Sequence, residues 1–287
     1  MDIGAVLITA GCGSVPAALC GGITVAQRMI ASLQKAGVSM IAVVSDAEDK
    51  KLEKQLSQPG VFFLRNEVPE QEETSAAIGL TYLADKCDRV FLLKAERPLI
   101  DPDTLLKMLG VDSAMVVPVH KGQQGQPWLL KTPYPEANVF DTSAAIKLNV
   151  ADPGVVLTAV EAAALEEFIS EHDRKLTRPV LDFAISRGKP LLDGKLITLL
   201  SLIRETQSVR DACSRMQISY STAWNLLNGA EDSLGYPLIL RNKGGPSGSG
   251  SLLTEKGSAL LSACEQFESA ARESLSSLYE TIFQDVL

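Results

Sequence analysis

Residues 5–45 read AVLITAGCGSVPAALCGGITVAQRMIASLQKAGVSMIAVVS, and this stretch decides the fold. It begins with the apolar run AVLIT (5–9), which predicts a buried strand, and a glycine-rich turn follows. In TVAQRMIASLQKAG (24–37) apolar residues recur at helical spacing, and MIAVVS (40–45) returns to a strand pattern. A strand, a helix and a second strand in this order predict a βαβ unit with parallel strands.

The same alternation continues to residue 119. Further strands are predicted at 61–66, 89–95 and 114–119, and further helices at 46–60, 74–86 and 101–110. We therefore expect an α/β domain with a Rossmann-like, doubly wound and mostly parallel sheet. Such sheets bind ligands at the carboxyl ends of their strands. The glycine turn and Glu96 both fall at that edge.

Helices dominate the chain from about residue 161 onward. They are predicted at 160–173, 195–206, 208–217, 219–235 and 254–283. The short turn QIS joins two of them as in a helix-turn-helix, and two short strands around a glycine/serine loop at 237–254 would form a wing. We expect a first domain at 1–175, a connector at 176–193, and an α+β winged helix-turn-helix domain with a long C-terminal helix at 194–287.

Composition excludes several classes of protein. The five cysteines are odd in number and never spaced as CxxC, which argues against a disulfide framework and a structural zinc site, so we expect reduced thiols. His120 and His172 offer little material for a metal centre and are expected at the surface or in loops. No apolar run approaches the roughly 18 residues that span a bilayer, and MDIGAVLITAG lacks the basic start of a signal peptide. We expect a cytoplasmic location without membrane association.

Charge and apolar patterning suggest two partners. The net charge is −8, yet residues 187–257 hold nine Lys and Arg against six Asp and Glu, so this segment could meet the phosphates of double-stranded DNA. One stripe of the C-terminal helix is apolar: Leu260, Leu261, Cys264, Phe267, Ala271, Leu275 and Leu278. The stripe predicts a homodimer, with packing against its own domain as the alternative.

Five segments in the first 170 residues resemble, in order and spacing, the MobA/MocA-type nucleotidyltransferases of molybdenum cofactor synthesis. They are ITAGCGS (8–14), GGITVAQRMIASLQKAGV (21–38), NEVPEQEETSAAIGL (66–80), LLKAERPLIDPDTL (92–105) and VVPVHKGQQGQP (116–127). The resemblance implies a nucleotide- or molybdopterin-like ligand, with Mg²⁺ at Glu96. The implied ligand contacts are Gly11, Cys12, Gly13, Ser14, Asn66, Ser75 and Gly125. Tight turning alone is the alternative for the two loop glycines, and a solvated loop carboxylate is the alternative for Glu96.

The same segments also depart from the family pattern. The loop continues VPAALCGG (15–22) without the Arg and Lys that family members use against the triphosphate charge. Glu96 replaces the family's Asp, and GVVLTAV (154–160) lacks a second acidic cluster. Because phosphoryl transfer depends on positioning and charge stabilisation, we expect no catalysis and assign no catalytic residue. The alternative is an active Mg²⁺-dependent transferase that uses CTP or GTP.

Residues 176 to about 275 resemble the DNA-binding domain of the molybdate-responsive regulator ModE, a winged helix related to the LysR type. SVRDACSRMQISYSTAWNLLNGAEDSLGYPLILR, followed by KGG and LLTEKG, carries the resemblance. The DNA contacts that we expect from it are Ser208, Ser219, Tyr220, Ser221, Thr222, Asn225, Arg241 and Lys243. Thr222 stands where such helices tend to have Lys, which removes one contact. Trp224 fills the core or stacks on a base.

Three functions follow from these observations. The first is a dimeric DNA-binding transcriptional regulator, linked to molybdenum or molybdopterin metabolism, whose degenerate transferase domain senses a ligand. The second is an active nucleotidyltransferase fused to a DNA-binding domain. The third is a scaffold that pairs with other proteins through its acidic first domain.

Overall fold

A computed structural model describes residues 2–46, 49–69, 71–134, 140–181, 183–187, 189–241 and 250–283. The chain divides into two compact units, Met1–Thr177 and Arg178–Leu287. The first unit contains the sheet, and the second is mostly helical.

The first unit alternates strands and helices. Its strands are β1 (Ile3–Ile8), β2 (Leu19–Cys20), β3 (Ile23–Thr24), β4 (Met40–Asp46), β5 (Val61–Asn66), β6 (Arg89–Lys94), β7 (Met115–His120), β8 (Gln123–Gln124), β9 (Trp128–Lys131) and β10 (Ile146–Asn149). Its helices are α1 (Val25–Lys35), α2 (Lys50–Leu56), α3 (Glu72–Leu83), α4 (Pro102–Leu109), α5 (Ala159–Ala163) and α6 (Glu166–Lys175).

The main sheet has the strand order β10-β7-β9-β6-β1-β4-β5, with β8 paired to β7. Strand β1 runs parallel to β4 and β6, and β5 runs parallel to β4. Strand β9 pairs antiparallel with both β6 and β7. The expected mostly parallel sheet with flanking helices is therefore confirmed, and its parallel strands bring their carboxyl ends to one edge.

Helices cover both faces of this sheet because alternate strand residues point to opposite sides. Ala5 and Leu7 of β1 belong to a core with α1 and α4, whereas Val6 and Ile8 belong to a second core with α3. Helix α3 approaches β1 closely at Gly79, where an added Cβ would lie only 2.4 Å from Val6 Cγ1. Apolar residues thus line both faces of the sheet, as expected for a sheet covered on both sides.

Several elements differ from the sequence prediction. Strand β4 reaches Asp46, so the helix expected at 46–60 is only the short α2. The helix expected at 160–173 is two helices, α5 and α6, interrupted at Leu165. Strands β9 and β10 were not predicted at all. The expectation that both histidines lie at the surface or in loops is wrong for His172, which is buried within α6.

The second unit begins with a hairpin inside the expected connector. Its elements are β11 (Ala184–Arg187), β12 (Lys189–Asp193), α7 (Gly194–Thr206), α8 (Val209–Met216), α9 (Tyr220–Leu234), β13 (Ile239–Arg241), β14 (Ser251–Leu253) and α10 (Glu255–Phe283). Strands β11 and β12 pair antiparallel, as do β13 and β14. Helix α7 packs against α8, α9 and α10, and its apolar residues form the centre of this unit.

The turn between α8 and α9 is short and well defined. Gln217 ends α8 with φ +55°, its N–H donating to Cys213 O, and Ser219 caps α9 by accepting a bond from Thr222 N. Helices α8 and α9 contact each other, and Ala212 of α8 and Ala223 of α9 are fully buried. Small side chains thus let the helices pack closely.

Two expectations from composition concern membrane spans and cysteines. None of the helices that the structure describes is both long and apolar enough to cross a bilayer. All five cysteines are buried and carry free thiols.

Candidate functional site: a strand-end cleft and an exposed helix face

The loop after β1 holds Gly11, Cys12, Gly13 and Ser14 at the carboxyl edge of the sheet. We use the name strand-end cleft for this edge, from the loop after β1 to Gly125. Both glycines have positive φ, +72° and +57°. A Cβ on Gly11 would lie 2.6 Å from Pro69 O, whereas a Cβ on Gly13 would meet nothing within 4 Å. Position 11 therefore requires glycine for two reasons, its positive φ and the nearby Pro69 O. Position 13 favours glycine only because of its positive φ. Ser14 is exposed and makes no side-chain cap to the short 3₁₀ turn that follows.

An acidic side chain already engages this loop. The Gly11 N–H donates to Asp46 Oδ1 over 3.3 Å at the end of β4. Backbone N–H groups of such turns can bind phosphate. In this structure the first of them faces a carboxylate.

Asn66 and Ser75 contact each other across the start of α3. Asn66 Nδ2 donates to Ser75 Oγ over 2.8 Å and to Val68 O over 3.0 Å, while its Oδ1 accepts from Val68 N. Both side chains are buried. Their polar groups thus fix the loop that carries Pro69 against Gly11.

Lys94 lies at the end of β6 between two carboxylates. Its Nζ is 3.2 Å from Glu72 Oε2 and 3.3 Å from Glu96 Oε1. Burial by itself would lower the pKa of Lys94, but the two carboxylates outweigh it and raise that pKa above its ordinary value. Glu96, the expected metal ligand, is thus paired with an ammonium group.

The thiol of Cys12 is close enough to this group to be affected by its charge. Burial, and then the charge of Glu96, raise the pKa of Cys12 to about 11. The Sγ atom lies 3.6 Å from Ile8 O and 3.8 Å from Ala10 O. Cys12 is therefore a protonated, inward-facing thiol at neutral pH.

Gly125 closes the same edge from the β8–β9 side. Its N–H donates to Pro118 O over 2.8 Å, and an added Cβ would lie 2.4 Å from Val155 O. The next residue, Gln126, accepts from Lys94 N over 3.0 Å through its Oε1. Gly125 thus permits a close backbone approach that places Gln126 on the end of β6.

A polar cluster around the buried Arg28 was not predicted from the sequence. Arg28 is completely buried in α1, donates twice to Cys20 O, and pairs with Asp173. Its Nη1 also lies 3.2 Å from His172 Nδ1, and His172 Nε2 bonds to Ile100 O over 2.9 Å. Burial lowers the pKa of His172. The cluster ties α6 to α1 and to the segment after β6.

In the second unit, the first turns of α9 present polar side chains outward. Tyr220, Ser221, Thr222 and Asn225 are exposed, whereas Ala223, Leu227 and Ala230 of the same helix are buried. Ser219 Oγ contacts Ser221 Oγ at 2.9 Å and Thr222 Oγ1 at 2.8 Å. The exposed groups can therefore meet a flat or grooved partner together.

The other residues expected to contact DNA lie outside α9, and Trp224, the expected core or stacking residue, lies within it. Ser208 caps α8 by accepting from Asp211 N. Trp224 is half-buried, with its ring 5.9 Å from that of Tyr220 in an edge-on contact. Arg241 ends β13, and Lys243 lies outside the described residues.

Helix α10 changes character along its length. Leu261 and Cys264 are buried within the unit. Further along, Phe267 is 53% exposed, Leu278 57% and Ile282 60%. The predicted apolar stripe is thus buried at Leu261 and Cys264 and exposed at Phe267 and Leu278, and its other members, Leu260, Ala271 and Leu275, are half-buried.

Comparison with known proteins matches most of the first unit to one family. Residues 16–145 fit the model of the MobA-like NTP transferase domain. These residues form a MobA-like NTP transferase domain. A solved structure with a likeness to the chain is 4-diphosphocytidyl-2C-methyl-D-erythritol synthase from Anaerococcus prevotii, at 16% identity and a TM-score of 0.47 over 62% of this chain and 99% of that one.

Two curated relatives match parts of the chain. One is the molybdenum-pterin-binding protein MopB of Rhodobacter capsulatus, 29% identical over 101 residues, or 35% of this chain and 37% of MopB. The other is the transcriptional regulator ModE of Haemophilus influenzae, 32% identical over 77 residues, or 27% of this chain and 30% of ModE. The chain thus spans about a third of the length of these relatives.

A MobA-like NTP transferase domain is consistent with a divalent metal. No group of three or more His, Cys, Asp or Glu side chains suited to a metal occurs among the described residues. The one expected ligand, Glu96, contacts Lys94 instead. Mg²⁺ demands several oxygen ligands in near-octahedral geometry. The cleft of this MobA-like domain, as it stands, does not fit the ion.

Proposed function

We propose that this chain is a DNA-binding transcriptional regulator whose MobA-like domain senses a nucleotide- or molybdopterin-like ligand. The observation that carries the proposal is the arrangement of α8, its three-residue turn and α9, with the polar start of α9 exposed. A second helix presented in this way is how helix-turn-helix proteins enter the major groove. The expected organisation, 1–175, a connector at 176–193 and a winged helix domain at 194–287, is part of the proposal.

The elements around α9 support a nucleic-acid partner. Strands β13 and β14 pair antiparallel after α9, which is the order that a winged helix would have. The sequence predicts phosphate contacts from Arg241 and Lys243 of this segment. Residues 187–257 carry a surplus of basic residues in an otherwise acidic chain. The similarity to a protein named transcriptional regulator ModE points the same way.

We further propose a homodimer that uses the uncovered part of α10. Exposed apolar side chains in line along a helix are favourable to bury against a second copy. A dimer would place two α9 helices on half-sites one turn of DNA apart, about 34 to 36 Å. The operator should then be palindromic.

Fluorescence anisotropy with the DNA upstream of the protein's own gene tests the DNA-binding part. We expect a clear preference over a scrambled duplex at physiological salt, and no preference would refute the proposal. The double substitution Tyr220→Ala/Asn225→Ala should weaken binding at least about tenfold, since a good base contact contributes roughly 1–3 kcal/mol. Ser233→Ala, exposed in the last turn of the same helix, is the matched control and should have no effect.

The sensing part has its own test. Adding molybdopterin, CMP or GMP to the protein–DNA complex should shift the DNA affinity for at least one of them. The name of the relative MopB, a molybdenum-pterin-binding protein, supports the first of these probes. If no probe changes either DNA affinity or thermal stability, the sensor role is wrong.

The alternative function is an active, Mg²⁺-dependent nucleotidyltransferase, and the match to the MobA-like NTP transferase domain favours it. Incubation with CTP or GTP, molybdopterin and Mg²⁺ should then release pyrophosphate. Glu96→Gln should abolish that release. Activity that survives this substitution would mean that Glu96 is not the metal ligand.

A further inference from the structure

The cleft contains one ammonium group held by two carboxylates. Lys94 Nζ lies 3.2 Å from Glu72 Oε2 and 3.3 Å from Glu96 Oε1. All three side chains are partly shielded from solvent, with 25%, 33% and 38% of their surfaces exposed. An ammonium in this position offsets the repulsion between the carboxylates, as a divalent cation would.

The backbone around this group is fixed from several directions. Ala95 N donates to Ile8 O over 2.8 Å, and Lys94 N donates to Gln126 Oε1 over 3.0 Å. Glu72 begins α3, which packs directly on β1 and β4. Hydrogen bonds thus hold the backbone of Lys94 and Ala95, and packing holds the helix that carries Glu72.

The loop after β1 offers a polyphosphate no cation of its own. Residues 9–24 contain neither Lys nor Arg. The Gly11 N–H donates to Asp46, and Arg97 Nη1 donates to the Val156 carbonyl oxygen. A triphosphate needs fixed cations or a bound metal to offset its charge. Lys94 could supply a cation for the triphosphate only by leaving the carboxylates of Glu72 and Glu96 unpaired.

We infer that Lys94 is the built-in cation of this cleft, which binds its ligand without a divalent metal and rejects metal–triphosphate complexes. The preferred ligand class is therefore one without a polyphosphate chain. This ligand class rests on the proposed sensor function, whereas the metal independence can be tested without any ligand. No covalent bond is formed or broken, because Lys94 acts only by its charge and position.

The metal test uses Mn²⁺ alone, followed by electron paramagnetic resonance of the free ion. The wild-type protein should leave the Mn²⁺ signal unchanged. Lys94→Met should deplete it, with at least about tenfold tighter binding, because two carboxylates then lack their counter-charge. Adding Glu96→Gln to that variant should remove the gain.

The matched control is Lys131→Met. Lys131 also pairs with a carboxylate, at 2.8 Å from Asp112, but in an exposed one-to-one pair. This variant should bind no Mn²⁺. Lys94→Gln is the second variant for the case that Lys94→Met does not fold, which circular dichroism reports. Mn²⁺ binding by the wild type, or no gain in either folded Lys94 variant, would overturn the inference.

A thermal-shift experiment on the full chain separates this inference from the proposed function. We expect CTP and GTP to give no shift with or without MgCl₂, and CMP or GMP to stabilise the first unit in the presence of EDTA. Stabilisation by a triphosphate only with Mg²⁺ would refute the inference. No shift with any probe would count against the sensor role, while the Mn²⁺ result would still decide the role of Lys94.

Discussion

The polar side chains of the strand-end cleft and those at the start of α9 are used in opposite ways. In the cleft they face one another: Asn66 bonds to Ser75, and Lys94 pairs with Glu72 and Glu96. On α9, Tyr220, Thr222 and their neighbours face solvent. Groups that already have partners inside a protein contribute to its shape, whereas exposed groups remain available for recognition. Changes in the cleft should therefore alter stability, and changes on α9 should alter binding.

The largest effect should come from Arg28, whose bonds are all internal. Arg28→Ala removes its bonds to Cys20 O and its ion pair with Asp173, and it leaves a cavity. We expect the first unit to lose about 3 kcal/mol of unfolding free energy. Urea unfolding, followed by Trp128 fluorescence in a Trp224→Phe background, reports on this unit alone. Arg174→Ala, exposed on α6, should change stability by less than about 0.5 kcal/mol.

The next largest loss of unfolding free energy should come from substituting the two loop glycines. Gly13→Ala should cost roughly 1–2 kcal/mol, since its φ is positive but its surroundings are open. Gly11→Ala should cost clearly more, because the new Cβ would also meet Pro69 O at 2.6 Å. The same fluorescence assay measures both variants. Equal losses would mean that the loop moves freely away from Pro69.

On α9, restoring a positive charge should affect DNA binding and leave folding intact. Thr222→Lys places an ammonium on the exposed first turn. We expect DNA affinity to rise about tenfold at low salt and the slope against log salt concentration to steepen by about 1. Anisotropy titrations at several salt concentrations measure it. An affinity gain that is independent of salt would contradict a phosphate contact.

The smallest effect concerns the pH dependence of the first unit. Burial holds the pKa of His172 below its ordinary value of 6.5, with Arg28, Asp101 and Asp173 as its charged neighbours. The unfolded chain then binds a proton at pH values where the folded chain does not, so stability should fall as pH decreases below 6.5. His172→Gln should flatten this part of the profile. Urea midpoints of the two proteins between neutral and mildly acidic pH provide the measurement.

Local patterns predicted the scaffold because apolar alternation reflects which face each residue occupies. The parallel strands β1, β4, β5 and β6 followed from such runs. Strand β9 did not, since the four residues WLLK between Pro127 and Pro133 resemble a loop. Only the free edges of β6 and β7, built elsewhere in the chain, make it a strand.

The site was harder to predict because its contacts join distant residues. Glu96 attracted attention as a charge after an apolar strand, but its partner Lys94 belongs to a strand pattern and Glu72 lies 24 residues earlier. His172 lies in a highly charged stretch, and two of its polar partners inside the protein, Arg28 and Ile100 O, are 144 and 72 residues away. Residue identity indicated where chemistry could occur, whereas topology decided which groups meet.

One residue without a side chain sets the spacing at this cleft. Gly79 lets α3 rest against Val6 at a distance that no other residue type would allow. Since Glu72 begins the same helix, the depth at which α3 is seated fixes how near that carboxylate comes to Lys94. A methyl group at position 79 would push α3 away from β1, and the distance between the Glu72 carboxylate and the Lys94 ammonium would increase.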